Sequence, residues 1–537
     1  MMDTPLLLTN FLKRAERYFP EKLIISRTSS ETIHRIPYKD YVKRTHKLAD
    51  ALTKLGMKRG TKVASFAWNH HRHLEAYFAV PCAGAVLHMV NIRLSPEHII
   101  YVINHAEDEI LLIDGDLFPL FEKAIPFLKT VKHVIVMQDN MEVPESSFPN
   151  VHSYEKLLAE ASDEFEFPLD LDENSPAGMC YTSATTGMPK GVVYTHRGLV
   201  LHSMALGLAD SLGLREEDVI MPVVPMFHVN AWGMPFAGVN FGITQVLPGP
   251  MFTPQLLLDL IEQEKVTLTA GVPTIWMGVA QEQEKNPRDL SSLRAVVCGG
   301  SASPKGLIKT YEDKFNVPFI VGYGMTETTP IVSLSTYTSS MKNLTREEKL
   351  DIRATQGLTV SLLDTEVVND AGEVPWDGKT MGELRIRGPW IAHEYYKDER
   401  TPEAFRDGWL YTGDIAVVTP EGYIKITDRT KDLIKSGGEW ISSVDLENAL
   451  MTHEAVAEAA VIAIPHEKWQ ERPLACVVLK EGKNATKEEL LASLEGQFAK
   501  WWLPDDIVFL AEIPKTSVGK FLKAKLREEL KDYQVKA

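Results

Sequence analysis

Tyr181-Thr182-Ser183-Ala184-Thr185-Thr186-Gly187-Met188-Pro189-Lys190-Gly191 follows a short apolar run, Ala177–Cys180, and packs hydroxyls, a glycine and one lysine into a single segment. Polyphosphate oxygens only accept hydrogen bonds, so hydroxyls and free backbone N–H groups suit them. Gly187 permits a tight turn against a ligand. Pro189 stiffens the exit, and Lys190 offers a point charge. The segment is not the usual P-loop, since the chain contains no G-x-x-x-x-G-K-[ST]. Taken alone, these residues also suit a polar surface loop.

Four further segments lie downstream. They are Gly322-Tyr323-Gly324-Met325-Thr326-Glu327, Tyr411-Thr412-Gly413-Asp414, Asp428-Arg429-Thr430-Lys431-Asp432 and Pro514-Lys515-Thr516-Ser517-Val518-Gly519-Lys520. In kind and order the set resembles the adenylate-forming superfamily of acyl-CoA synthetases, luciferases and peptide-synthetase adenylation domains. The similarity runs from about Tyr38 to the C-terminus. Gly437 to Glu447 looks like the fatty-acyl-CoA synthetase branch. One departure is Ala184, where the family usually has Gly; alanine keeps the small size.

Composition agrees with a large enzyme. A chain of 537 residues exceeds one core, so two or more domains are expected. Hydrophobic content of 44% and charged content of 24% are ordinary for globular proteins. Lys+Arg of 57 against Asp+Glu of 73 gives −16, which argues against nucleic acid or an anionic membrane as the main partner. Cys82, Cys180, Cys298 and Cys476 are scattered without a C-x-x-C, and read as reduced core residues. No basic n-region precedes the apolar start, no S-K-L tail is present, and no run is long enough to span a membrane. A cytoplasmic location is expected. Leu6, Leu7, Phe11 and Phe19 suggest an amphipathic surface helix.

The first part of the chain alternates apolar runs with amphipathic stretches. Lys62–Ala67, Ile110–Asp114, Val134–Met137, Val219–Val224 and Leu293–Cys298 read as buried strands, and His70–Ala83 and Pro254–Glu264 as helices. That is the pattern of α/β doubly wound parallel sheets. Short β-like runs, Val360–Leu363, Gly382–Arg387 and Gly422–Ile426, suggest a small β subdomain. Thr336–Lys349 reads as a polar surface excursion. Past the glycine-rich stretch ending at Gly438 come a helix (Ser443–Met451), strands (Ala459–Ile464, Leu474–Leu479), a helix (Lys487–Ala499) and a strand (Ile507–Leu510). The expected fold is α/β: a large N-terminal domain of doubly wound sheets over 1–430, its β subdomain at about 350–430, and an α+β C-terminal domain over 431–537. The resemblance implies that the subdomain is β-barrel-like and that the C-terminal domain is mobile.

The resemblance implies a two-step reaction. A carboxylate attacks the α-phosphorus of ATP, giving an acyl-adenylate and pyrophosphate; the thiol of CoA then attacks the activated carbonyl and releases AMP. Carboxylates are already ionised at pH 7, so the first step needs positioning and charge neutralisation rather than a general base. Thr182, Ser183, Thr185, Thr186, Gly187 and Lys190 would hold the β- and γ-phosphates. Glu327 would bind Mg²⁺, which suits a hard carboxylate, and Thr326 the α-phosphate. Asp414 would accept from the ribose hydroxyls, with Arg429 at ribose or phosphate. Gly299, Gly300, Ser301, Ala302, Gly322, Tyr323 and Gly324 would enclose the adenine. Lys520 would bridge the substrate carboxylate and the α-phosphate. Each has a plainer reading: Glu327 as a helix-start residue, Asp414 as a turn residue, Arg429 as a surface ion pair, and Lys520 as one more solvated lysine.

For the second step, the resemblance implies rotation about Lys431 and a CoA passage at Lys435, Gly437, Gly438, Glu439 and Trp440. His228 and Trp232, four apart in Pro225–Trp232, would share one face if helical. The family's Trp here gates an acyl tunnel. Thr328 and Pro330 are expected to meet substrate as well. No Arg or Lys in Pro225–Trp232 could pair with a second carboxylate, so the acid is expected to be apolar and monocarboxylic, a medium- to long-chain fatty acid. A short or thioether acid, luciferase-like oxygenation and loading of a carrier protein are the alternatives. A homodimer is expected by analogy only.

Overall fold

The computed structural model describes all residues except 183–187, 438, 467, 516–520, 532, 534–537 and the side chain of Glu439. Two large sheets form its body. The first has seven strands in the spatial order Val151–Ser153, His133–Met137, Ile110–Asp114, Lys62–Phe66, Val86–Met89, Pro176–Tyr181, Gly191–Thr195. Every neighbour pair is parallel except the last. Ile110–Asp114 is buried at each position, as a parallel strand covered on both faces requires.

The second sheet has nine strands. Its centre is parallel: Phe319–Gly324, Ala295–Gly299, Leu268–Gly271, Val219–Pro222, Thr244–Leu247 and Leu23–Arg27 lie in that order. Antiparallel strands close both edges. A core that includes Leu8, Phe11, Tyr77, Phe78, Met226 and Phe236 joins elements of both sheets. Helix Thr9–Tyr18 is amphipathic as expected: it buries Phe11, Leu12 and Ala15 and leaves its polar face outward. Helix His71–Cys82 is buried on all sides, with His70 as its N-cap accepting from His73 N at 3.2 Å. All four cysteines are buried free thiols, and burial pushes each up to about 12.

Two smaller sheets follow. Six antiparallel strands between Asp364 and Arg429 make the β subdomain. Five strands between Ile434 and Phe509 make the C-terminal sheet, dominated by the hairpin Val456–His466 with Gln470–Leu479. The chain leaves one sheet at Arg429 and enters the other at Ile434, with Lys431 between them.

Three local expectations differ from the structure. Val360–Leu363 is not a strand; Leu358–Thr359 edges the nine-stranded sheet and Leu362, at φ 76°, turns the chain toward the subdomain. The helix from Lys487 stops at Leu494, because Gly496 takes a left-handed turn at φ 78°. Thr336–Lys349 is partly helical: Thr345 and Glu348 form a capping box on Arg346–Arg353, and Arg346 pairs with Glu312 and Asp313 at 2.9 and 2.8 Å.

Candidate active site

Gly299 and Gly322 are register partners at the carboxyl ends of adjacent parallel strands. Open α/β sheets bind ligands at such ends. A cavity of about 390 Å³ opens there, continuous through Gly300, Gly322, Tyr323, Gly324, Arg429 and Lys431 with a cleft of about 250 Å³.

The polar end of the cavity is built from three chain regions. Thr182 and Lys190 meet at the two ends of the hydroxyl-rich segment: Thr182 N donates to Lys190 O at 2.9 Å, and Lys190 N donates to Thr182 Oγ1 at 3.1 Å. The Lys190 ammonium stands 4.4 Å from the centroid of the Tyr395 ring. Tyr395 in turn donates its hydroxyl to Glu327 Oε1 at 2.6 Å. Glu327 is only 5% exposed. Burial, then the charge of Glu327, holds the Tyr395 phenol far above its ordinary range, so it stays a donor at any working pH. Thr326 lies beside Glu327, its carbonyl held by the Tyr194 hydroxyl at 2.9 Å.

The nucleoside-sized cleft lies on the other side of Gly322–Gly324. Ser301, Ala302, Tyr323 and Asp414 line it. Asp414 and Arg429 are register partners on adjacent strands and pair at 3.1 Å. Tyr323 donates to the second oxygen of Asp414 at 2.6 Å. The Asp414 charge raises the Arg429 guanidinium further, and burial with that same charge pushes the Tyr323 phenol well up. Asp414 is therefore an anchored, buried acceptor at the mouth of the cleft.

The other end of the cavity is apolar. Leu206, Leu212, Met234, Val297, Ile331 and Leu334 line it, and all belong to one core cluster. His202 backs this wall, its Nε2 accepting from Ile331 N at 3.2 Å; burial pushes its imidazole down to about 3, so it stays neutral.

Residues 12–396 match the AMP-binding enzyme family, and residues 445–520 match the AMP-binding enzyme C-terminal domain. The chain belongs to the AMP-binding enzyme family. It is 51% identical to a long-chain-fatty-acid–CoA ligase of Thermus thermophilus, covering 99% of this chain and 97% of that one. It is 42% identical to a 3-methylmercaptopropionyl-CoA ligase of Ruegeria lacuscaerulensis, covering 99% and 98%. The fold superposes on a solved anthranilate CoA ligase in complex with anthranoyl-AMP with a TM-score of 0.87 at 24% identity, over 98% of both chains. This AMP-binding enzyme is accordingly an AMP-forming acid–CoA ligase.

Within this AMP-binding enzyme, Thr182, Lys190, Thr326, Glu327, Gly300, Gly322, Tyr323, Gly324, Arg429, Lys431, His228, Trp232 and Pro330 line one cavity, as a single site requires. Ser301, Ala302 and Asp414 line the adjoining cleft. Ser183, Thr185, Thr186, Gly187, Gly438, the Glu439 side chain and Lys520 lie outside the described residues. Gly299 faces neither space: a Cβ there would meet Gly322 O at 2.7 Å and the tip of the Trp232 ring at 3.1 Å. Its bareness lets the indole pack against the strand. Thr328 is fully buried and its hydroxyl is tied to Met325 and Pro330, so it shapes the turn rather than facing the cavity. Lys435, Gly437 and Trp440 sit on the hairpin Ile434–Ile441 and line neither space in this arrangement.

The His228 to Trp232 spacing also needs correction. Val229, Asn230, Ala231 and Trp232 all have φ between 46° and 57°, a left-handed turn rather than a right-handed helical face. Left-handed backbone costs about 1–2 kcal/mol per ordinary residue. Upstream of this turn, Asn69 fixes the chain as it leaves the strand, donating to Pro222 O and Val224 O and accepting from Met226 N, at 3.0, 2.9 and 2.7 Å. Such strain is usually found at functional sites.

Sequence reasoning missed Tyr395 and Asn69. Neither sits in a motif, and each meets its partner only through packing. Tyr395→Phe removes one hydrogen bond to a buried carboxylate, worth about 1–2 kcal/mol. The expected result is a roughly tenfold lower kcat/KM for ATP with a Tm lowered only slightly, read by pyrophosphate release and thermal unfolding.

Proposed function

We propose that the enzyme activates an apolar monocarboxylic acid, a medium- to long-chain fatty acid, as its acyl-adenylate, and passes the acyl group to CoA with release of AMP and pyrophosphate. The observation that carries this reading is the one cavity with two ends. Its polar end holds Lys190, Thr326 and Glu327, and its other end is a wall of aliphatic side chains from the core.

The roles are those that the resemblance implies. Thr182, Ser183, Thr185, Thr186, Gly187 and Lys190 hold the β- and γ-phosphates. Thr326 holds the α-phosphate. Glu327, oriented by Tyr395, supplies the single carboxylate that Mg²⁺ needs when phosphates and water complete its shell. Among the described residues no group of three or more His, Cys, Asp or Glu could hold a metal alone, which suits an ion brought with ATP. Mg²⁺ would neutralise phosphate charge when bound. Asp414 and Arg429 take the ribose, and Ser301, Ala302, Gly322 and Tyr323 flank the adenine. Trp232, packed on Gly299, stands between the nucleotide side and the acyl wall. Lys520 neutralises the charge between the two approaching anions.

Phe521, the residue after Lys520, lines the nucleotide cleft, whereas the described residues of hairpin Ile434–Ile441 do not. This arrangement suits adenylate formation. Rotation about Lys431 would then bring Lys435, Gly437, Gly438, Glu439 and Trp440 to the site for CoA.

The test is pyrophosphate release with ATP and Mg²⁺ over straight-chain acids of graded length and 3-methylmercaptopropionate, each with and without CoA. CoA-stimulated turnover on a band of medium to long chains is expected. A preference for the thioether acid over every straight-chain acid would overturn the fatty-acid assignment and leave the ligase.

A further inference from the structure

Lys523 is an unusual residue in its setting. It is 9% exposed and opens the helix Lys523–Glu529, where the positive end of the helix dipole disfavours a cation. Burying an ammonium is costly unless it is paired. The C-terminal domain has its own two apolar cores, made without this side chain. The compensation lies at the hinge. Lys523 Nζ pairs with Glu447 at 2.6 Å and donates to Ser443 Oγ at 2.5 Å. Glu447 also accepts from Val461 N at 2.7 Å.

The junction reaches across to the β subdomain. Asp428, on the last strand of that sheet, accepts from Ser443 N at 2.7 Å. Ser442 donates its hydroxyl to Thr427 O at 2.5 Å. Burial pushes the Asp428 carboxyl up, and the Lys523 charge opposes that shift. Burial likewise pushes Glu447 up, to about 7, against the same lysine. Lys523 and Asp428 line the same cleft, and Ser443 links them: its Oγ accepts from Lys523 and its N–H donates to Asp428. Phe521, Lys523 and Arg527 line the nucleotide cleft with Asp414, and Arg527 pairs with Asp432 at 2.7 Å.

We propose that Lys523 is a positioning residue for the first half-reaction: shared between Glu447 and Ser443 beside Asp428, it latches the C-terminal segment across the hinge in the arrangement that forms the adenylate, and the latch must part before CoA can react. The proposal rests on the acyl-CoA ligase reading. Removing the lysine leaves the buried Glu447 carboxylate unpaired and takes away the donor that holds Ser443, which loosens the Ser443 bond to Asp428. Removing the Glu447 charge as well avoids leaving that carboxylate buried without its partner.

The experiment measures the two half-reactions separately on full-length protein. Lys523→Met is expected to slow adenylate formation at least about tenfold while thioester formation from supplied acyl-adenylate stays within about twofold of wild type. Lys523→Arg is expected to retain adenylation, and Glu447→Gln added to Lys523→Met to recover part of it. Equal loss in both half-reactions, or no loss in the first, would overturn the latch. An activity-independent readout uses fluorophores on Asp370→Cys and Lys483→Cys, both exposed sites in a chain whose native cysteines are buried. Energy transfer should report a broader distance distribution in Lys523→Met; an unchanged distribution would also overturn the proposal. If wild type made no adenylate from any acid, the ligase reading would fail while the distance measurement still decided the latch.

Discussion

Glu327→Gln is expected to lower kcat/KM for ATP by about 100-fold or more and to raise the Mg²⁺ concentration needed for half-maximal rate. The amide keeps the shape and can still accept from the Tyr395 hydroxyl that now reaches Oε1 at 2.6 Å. What it loses is the negative charge a hard divalent cation requires. Because Glu327 is buried and its backbone carbonyl is held by Ala392 N at 2.8 Å, the loop should keep its place. Magnesium titrations of pyrophosphate release, run beside thermal unfolding, separate the two effects. A large rate loss with an unshifted magnesium dependence would remove the metal role and leave Glu327 as an orienter of Tyr395.

Lys520→Ala is expected to reduce adenylate formation by about 100- to 1000-fold, the usual cost of losing one preorganised charge-stabilising group. Thioester formation from supplied acyl-adenylate should survive, because the anion-on-anion approach is over by then. Burst measurements of pyrophosphate, paired with CoA consumption from purified acyl-adenylate, make the comparison. Equal loss in both steps would mean that Lys520 serves the fold or both reactions. This outcome differs from that expected for Lys523→Met in size: one change removes a charge from the reacting atoms, the other only loosens the segment that follows them.

Much of the site was legible because each of its parts is local in sequence. Thr182 and Lys190 bond to each other within eight residues of sequence, Gly322 to Glu327 is one strand end and turn, and Asp414 and Arg429 sit on neighbouring strands of one sheet. Strands such as Ile110–Asp114 and the helix Pro254–Glu264 coincide with their expected bounds, since uniform burial and 3.6-residue periodicity are written in the residues themselves. The misreadings share one cause. His228 and Trp232 are spaced for a helix, but the chain between a strand end and the helix Met234–Phe241 takes a left-handed turn that residue spacing does not encode. Thr328 looked like a substrate contact from its motif, and packing turned its hydroxyl back onto Met325.

The sequence by itself determined the family and the α/β order of elements, and it singled out the residues proposed for phosphate, ribose and hinge, because those readings depend on residue type and short spacing. Only the tertiary structure decided that Tyr395 serves Glu327 across 68 residues, that Gly299 is bare to admit the Trp232 ring, and that Lys523 pairs with Glu447 and holds Ser443, which in turn donates to Asp428. Such pairings carry no periodicity. They are set by how sheets and domains pack, where burial makes an unpaired charge or donor too costly to leave without a partner.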